Sequence, residues 1–299
     1  MTPPSASPPP SAPAAQALGS TPLAQELKSE EFALFRDFIY ERTGLFFADT
    51  KAYFLQNRLS ERMAQVDCRS YTDYYYQLKY DPTQTEIERL VDLITTRETS
   101  FFRNPPQIAA FQRKVLPEII ERKRRDGQRT LRIWSAGCAS GEEPYTLAII
   151  VLDTVPASGL WEIQIIANDL SLAALAQARR GIYQREALRN LDTHWLQRFF
   201  VTVSGTYHVR DEVKRLVHWN HLNLADDRRM GIIQHVDVIF CRNVLIYFGP
   251  ESKKRVIDRF YEALNPGGYL FLGHSESLHS ISKAFRILPY EGAFGYQKD

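Results

Sequence analysis

The apolar residues of this chain change their spacing once, near residue 130, and that change restricts the folds open to it. Between residues 23 and 104 they recur every three or four positions, the period of a helix buried along one side. Phe32, Phe35 and Ile39 form one such stripe. Glu30 and Glu31 sit in its first turn, Ser29 is the expected cap and Gly44 the stop. Further helices are expected over 50–66, with Phe54, Leu55, Leu59 and Met63 inward, over 72–79, and over 83–96, with Ile87, Leu90, Val91 and Ile94 inward. The links between them are short, which predicts a small helical bundle.

After residue 130, apolar runs too short for helices alternate with helical stretches. Strands are expected at 131–134, 163–167, 236–240 and 269–272. Helices at 142–152, 171–180 and 251–264 separate them, the last followed by the turn Asn265-Pro266-Gly267-Gly268. This alternation predicts an α/β fold with a doubly wound, Rossmann-like, mostly parallel sheet. Residues 182–220 break the rhythm. Short strands at 199–203, 207–210 and 216–219 predict a small antiparallel β-subdomain inserted before the next sheet strand. Residues 1–22 are rich in Pro, Ser and Ala, cannot bury enough surface to offset ordering entropy, and are expected to form a disordered leader. The expected organisation is therefore a leader at 1–22, a helical domain at 23–104 and an α/β domain at 105–299.

Composition narrows function mainly by exclusion. The balance of Lys and Arg against Asp and Glu is 37 − 35 = +2, so global charge names no partner. The basic run Arg122-Lys123-Arg124-Arg125 stands beside Gly127 and reads as a solvated helix end, with no base-stacking platform near it. No nucleic-acid partner is expected. No apolar run reaches the ~20 residues of a membrane span, so no membrane insertion is expected either. Cys68, Cys138 and Cys241 are neither paired nor spaced for a metal, which points to a reducing, cytoplasmic compartment. The histidines have no partners at metal spacing, and no metal site is expected.

Candidate site residues gather after the strands. The turn after the first strand reads Ser135-Ala136-Gly137-Cys138-Ala139-Ser140-Gly141-Glu142-Glu143-Pro144. Its small residues allow close backbone approach, and a helix start follows. Glu142 and Glu143 would repel a phosphate, and the glycines do not fit the dinucleotide fingerprint. A neutral or cationic nucleoside-type ligand suits the turn, although a plain helix start with acids in its first turn reads equally well. Asp169 ends the second strand, where doubly wound folds place a ribose-binding acid, while Ser171 is the better helix cap. Cys241-Arg242-Asn243 closes the third strand at the edge where such sheets hold ligands. Tyr247 follows in an apolar stretch. Phe101-Phe102-Arg103, taken alone, reads as inter-domain packing with a solvated head.

Together these motifs resemble the CheR family of chemotaxis receptor methyltransferases. The stretches that carry the resemblance are Thr99-Ser100-Phe101-Phe102-Arg103, residues 135–145, Ala167-Asn168-Asp169, Asn223-Leu224 and residues 239–248, with 43–59 similar to the family's helical domain. The resemblance covers residues from about 30 onward and implies a protein-glutamate O-methyltransferase using S-adenosylmethionine. It implies cofactor contacts at Thr99, Arg103, Glu143 or its neighbour Glu142, Asp169, Asn223, Leu224, Arg242 and Asn243, and catalytic roles for Arg103 and Tyr247. It implies the cytoplasmic helical domain of chemoreceptors as partner, and a monomeric enzyme is expected. Two further expectations concern docking. Arg58 and Arg62, one turn apart, would offer a basic face to an acidic receptor helix. The short hairpin at 203–207 resembles members that do not hold a receptor C-terminal peptide. One position departs from the family. Arg97 stands where Asn is frequent, and it is expected to face solvent or an acid such as Glu98 or Glu142. The rival readings are a cofactor-binding signalling adaptor and a methyltransferase acting on a different protein.

Overall fold

The computed structural model describes residues 26–96, 98–155 and 160–299. The leader expected at 1–22 and Arg97 lie outside the described residues. Four helices open the described chain: α1 (Ser29–Thr43), α2 (Ala52–Gln65), α3 (Tyr71–Tyr80) and α4 (Thr85–Ile94). Their apolar stripes meet around Phe35, whose ring packs on Tyr71, Tyr74 and Tyr75. Lys28, not Ser29, occupies the cap of α1, because Glu31 reaches back to accept the Lys28 N–H at 3.0 Å and sets the helix start one residue earlier. Gly44 ends α1 at φ +76°. A Cβ there would lie 2.7 Å from Ala225 Cβ and 2.9 Å from the Phe248 ring, so the position needs glycine for both its conformation and its space.

The basic face expected on α2 is not formed by both of its arginines. Arg58 holds its guanidinium over the Phe54 ring and 3.3 Å from Glu61. Arg62 is buried and donates through Nε and Nη2 to the two carboxylate oxygens of Glu86 on α4, both at 2.7 Å. Four residues advance a helix about 40° beyond one turn, enough to carry Arg62 off the rim and into the seam between α2 and α4. The Tyr74 hydroxyl also donates to Glu86 at 2.9 Å. Burial, followed by the neighbouring Glu86, pushes the pKa of that phenol well above its ordinary value, so it stays protonated.

The chain then runs through α5 (Pro105–Ala110), a π-helical turn at Phe111–Val115 and α6 (Leu116–Arg125) into the sheet. The remaining elements are β1 (Thr130–Ala136), α7 (Glu142–Thr154), β2 (Glu162–Asp169), α8 (Leu172–Arg180), β3 (Ile182–Tyr183), α9 (Thr193–Phe199), β4 (Phe200–Val203), β5 (Thr206–Val209), α10 (Asp211–Lys214), β6 (Val217–His221), α11 (Asp227–Met230), β7 (Val236–Cys241), α12 (Pro250–Ala263), β8 (Leu264–Leu272), β9 (Phe285–Tyr290) and β10 (Ala293–Lys298). The main sheet has the order β6-β2-β1-β7-β8-β10-β9, parallel from β6 to β8 and antiparallel at β10 and β9. This is the α/β, doubly wound architecture expected from the alternation. Two expectations of detail are corrected. The strand expected at 216–219 in the β-subdomain is β6, an edge strand of the main sheet paired with β2, and the third strand of the small sheet is β3. The apolar Val217 and the pairing of Trp219 with Ala167 give β6 a larger surface to bury there than a two-strand hairpin offers. The turn expected at 265–268 is a bulge inside β8. Val236 pairs with Leu264 but Val238 with Tyr269, and Asn265 donates to the intervening Asp237 at 2.8 Å.

Alternate residues of the sheet serve two cores. Trp134, Ala136, Ile166, Ile239, Cys241, Leu270 and Leu272 face α12 and the helical bundle. Ile133, Ile165, Ala167, Val238, Phe240 and Phe271 face α5, α6, α7 and the small sheet. The bundle thus shares one continuous core with a face of the sheet and roofs its carboxyl edge.

Arg62→Ala removes one partner of a buried pair and is expected to destabilise the protein by about 3 kcal/mol, read from the shift of its urea unfolding curve. An unchanged midpoint would show that Glu86 needs no countercharge.

Candidate active site

A cavity of about 330 Å³ opens at the carboxyl ends of β1, β2 and β7, between the sheet and the bundle. The strand order reverses at β1, so the loops after β1 and β7 diverge and leave this crevice. Its floor is the β1–α7 turn. Gly137 has φ +80°, and a Cβ there would lie 2.5 Å from Val244, so only glycine lets the loop after β7 close over the turn. The Asp169 carboxylate accepts the N–H groups of Ala139 at 2.8 Å and Ser171 at 2.9 Å, which ties the end of β2 to the turn. Ser171 caps α8 through the Ala174 N–H, so the cap role falls to Ser171 and not to Asp169.

Thr99, Arg103, Glu143, Asp169, Asn223, Leu224, Arg242, Asn243 and Tyr247 all line this cavity. Glu142 does not. It is buried in the first turn of α7, where it accepts the Ser140 hydroxyl at 2.8 Å. Burial, only partly offset by that bond, raises its pKa. Glu143 points the other way. It accepts from Ser135 Oγ at 2.7 Å and pairs with Arg242 Nε at 2.6 Å.

The two cavity arginines differ in their state. Arg242 is buried, and its remaining donors reach the Arg103 carbonyl at 2.6 Å and Gln107 Oε1 at 3.4 Å. Gln107 in turn donates to the Leu272 carbonyl at 2.8 Å, so the network joins the ends of β1, β7 and β8. Arg103 is half-buried, and its guanidinium bonds to the Glu98 carbonyl at 2.7 Å, a partner without formal charge. The backbone around it is strained, with Phe102 at φ +52° and Asn104 at φ +59°. That geometry splits the aromatic–arginine motif. Phe101 packs on Tyr183 and Phe200, and Phe102 stacks on Trp195, while Arg103 turns to the cavity. The packing read from these residues alone therefore holds for the two rings and fails for the arginine.

Tyr247 is held from the bundle side. Its carbonyl accepts the Phe46 N–H at 2.8 Å, and Leu45 bridges Phe248 in the antiparallel sense. Asn223 also crosses the junction, donating to the Arg42 carbonyl at 2.9 Å. Sequence reasoning missed the bundle residues of the cavity wall, Phe46, Phe47 and 94–96, because their periodicity reads only as helix ends. It also missed Glu276, whose buried carboxylate accepts the N–H groups of Gly273, Asn243 and Ile246 at 2.7, 2.7 and 3.1 Å. The signal for it was available: Gly273-His274-Ser275-Glu276 is a small, polar run directly after a strand, at the ligand-binding edge.

A crevice at the switch point of a doubly wound sheet, with a glycine turn after the first strand and an acid ending the second, defines a nucleoside-cofactor enzyme of the Rossmann-like class. Residues 97–294 match the CheR methyltransferase SAM-binding domain and residues 30–95 the CheR methyltransferase all-alpha domain, and the chain belongs to the CheR methyltransferase family. It is 36% identical over 269 residues to chemotaxis protein methyltransferase 2 of Vibrio cholerae, covering 90% of this chain and 92% of that one. Identity to chemotaxis protein methyltransferase 1 of Pseudomonas aeruginosa is 36% over 264 residues, covering 86% and 94%. That to the chemotaxis protein methyltransferase of Vibrio parahaemolyticus is 35% over 266 residues, covering 88% and 94%. This chain is therefore an S-adenosylmethionine-dependent methyltransferase of chemotaxis.

The donor set fits that cofactor. Asp169 stands at the strand end where doubly wound folds hold ribose hydroxyls, Leu222 and Leu224 offer an apolar wall for a purine, and the Asp169 carboxylate favours a cation over a phosphate. Cys138 also lines the cavity, but burial pushes its thiol far above the ordinary range, so it stays protonated.

Glu143→Gln is expected to weaken binding of S-adenosylhomocysteine by about tenfold or more, whereas Glu142→Gln should leave it unchanged in a calorimetric titration. The raised pKa of Glu142 means that it favours the folded state below its unfolded value of ~4.3 and loses that advantage as pH rises towards its folded value. Glu142→Gln should therefore stabilise the protein at neutral pH, and the gain should vanish near pH ~4. Equal gains at both pH values would contradict the burial argument.

Proposed function

We propose that this chain transfers the methyl group of S-adenosylmethionine to glutamate side chains on the cytoplasmic helical domain of chemoreceptors, giving glutamate methyl esters. The observation that carries the reading is the Arg103 guanidinium, which lines the cavity bonded to a neutral carbonyl and so can take up an acceptor carboxylate. No histidine or lysine lines the cavity among the described residues. Of the carboxylates lining it, Glu143 is occupied by Arg242 and Ser135 and Asp169 by two N–H groups, while Glu98 stands beside Arg103, which bonds its carbonyl. An amine or hydroxyl acceptor would need a base to take its proton. A carboxylate, with a reference pKa of ~4.3, is already ionised. The relatives, named as chemotaxis protein methyltransferases, support methyl transfer in chemotaxis.

When bound, S-adenosylmethionine supplies an electrophilic methyl on a sulfonium, and the C–O bond of the ester forms as the S–CH3 bond breaks. The protein's part is alignment and exclusion of water. Arg103 orients the acceptor carboxylate by a charge-assisted hydrogen bond, and its existing bond to the Glu98 carbonyl steadies the approach. Tyr247, fixed through its carbonyl by the Phe46 N–H, lines the same cavity and offers its hydroxyl to the acceptor. Thr99, Asn223, Leu224 and Asn243 complete the cofactor's walls. Charge disappears in the transition state, so a single arginine of modest grip serves better than a tight clamp.

The deciding assay is transfer of labelled methyl to a purified receptor cytoplasmic fragment, followed by release as methanol in mild base. Label that resists base would exclude the ester. In the same assay Arg103→Ala should lower kcat by about 10²-fold, while Tyr247→Phe, which keeps the ring, should cost less. Wild-type turnover by Arg103→Ala would remove the residue from the reading.

A further inference from the structure

A second cleft, of about 410 Å³, lies behind the loop that carries Tyr247. Ile246 is the wall shared by this cleft and the cofactor cavity, and the residue is 48% exposed, so the two openings face solvent side by side. The far side of the cleft is formed by Lys253 and Lys254 from the first turns of α12, and its near side by Ser275 and Ser280. Glu276 is the one acid among the described residues lining it. Its carboxylate is turned inward onto the backbone N–H groups of Gly273, Asn243 and Ile246, so its charge is engaged away from the opening. Lys253 is half-buried and makes no ion pair among the described residues. Among the described residues Lys254 pairs with Asp258, one turn along the same exposed helix face, an arrangement that costs little to exchange. The cleft thus presents two ammonium groups and hydroxyls directly beside the mouth of the methyl-transfer cavity. The cavity's own buried cation, Arg242, is already neutralised by Glu143.

We infer that this cleft is a second subsite for the protein substrate and receives an acidic side chain on the same helix as the glutamate being methylated. The inference rests on the glutamate reading above and adds to it where the flanking sequence is recognised: on the α/β domain, at the base of α12, and not only on the helical bundle. A helix that lowers one glutamate past Ile246 into the cavity carries its next turns, about 5 to 11 Å along, over the lysines. Charge complementarity selects the register, and Ile246 provides the apolar ridge on which the helix rests. The burial of Arg62 strengthens the assignment, because it removes half of the basic face expected on α2.

The test is the double variant Lys253→Glu with Lys254→Glu, assayed for base-labile methylation of a purified chemoreceptor cytoplasmic fragment. The KM for the fragment should rise about tenfold or more. The kcat at saturation and the affinity for S-adenosylhomocysteine should stay at wild-type values, since neither lysine lines the cofactor cavity. The neutral variant Lys253→Gln with Lys254→Gln should shift KM in the same direction by less. Added salt should raise the wild-type KM more steeply than that of the neutral variant. A wild-type KM in both variants overturns the subsite while leaving the ester chemistry standing. Failure of every form, wild type included, to deposit base-labile methyl overturns the glutamate reading and this inference with it.

Discussion

The buried pair of Arg242 and Glu143 is the constraint on which the rest of the site depends. It spans the switch point, joining the end of β7 to the first turn of α7, and Ser135 extends it to β1. The same guanidinium grips the Arg103 backbone, and Gln107 carries the network on to β8. Such a pair adds little net stability, because both charges lose their hydration. Its contribution is geometric. Arg242 satisfies so many neighbours at once that the ends of three strands and the segment entering from the bundle have one mutual arrangement.

That arrangement explains how two arginines of one cavity come to differ. Arg242 is enclosed, so its donors must all be met inside the protein. Arg103 is raised at the edge by two left-handed residues, and among the described residues its head bonds to a carbonyl. The strain at Phe102 and Asn104 is held by packing on Tyr183, Phe200 and Trp195. The small β-sheet, remote from the cofactor turn in sequence, is therefore part of what aims Arg103.

The helical bundle contributes in the same way. It is not tethered loosely to the α/β domain. Its core runs into the α12 face of the sheet, and its 44–47 segment pairs with the backbone at Tyr247 and Phe248. Gly44 permits this approach, since any side chain would strike Ala225 and Phe248. The roof of the cavity and the loop it covers are thereby one folded unit.

Local spacing alone determined the helical bundle, the alternation of strands and helices, the glycine turn and the acid that ends β2, because each depends on residues within a turn or two of one another. The resemblance in motif order added Arg103 and Tyr247, which no local pattern distinguishes from packing. Only the tertiary structure decided the partners. It gave Glu143 rather than Glu142 to the cavity, since two adjacent residues on a helix point about 100° apart and the sheet lies under one of them. It sent Arg62 to Glu86, moved β6 to the edge of the main sheet, and placed Glu276 beneath the loop after β7. Those outcomes turn on which distant segment arrives at a given face, and burial, which makes an unmatched charge or strand edge costly, settles that only when the whole chain has packed.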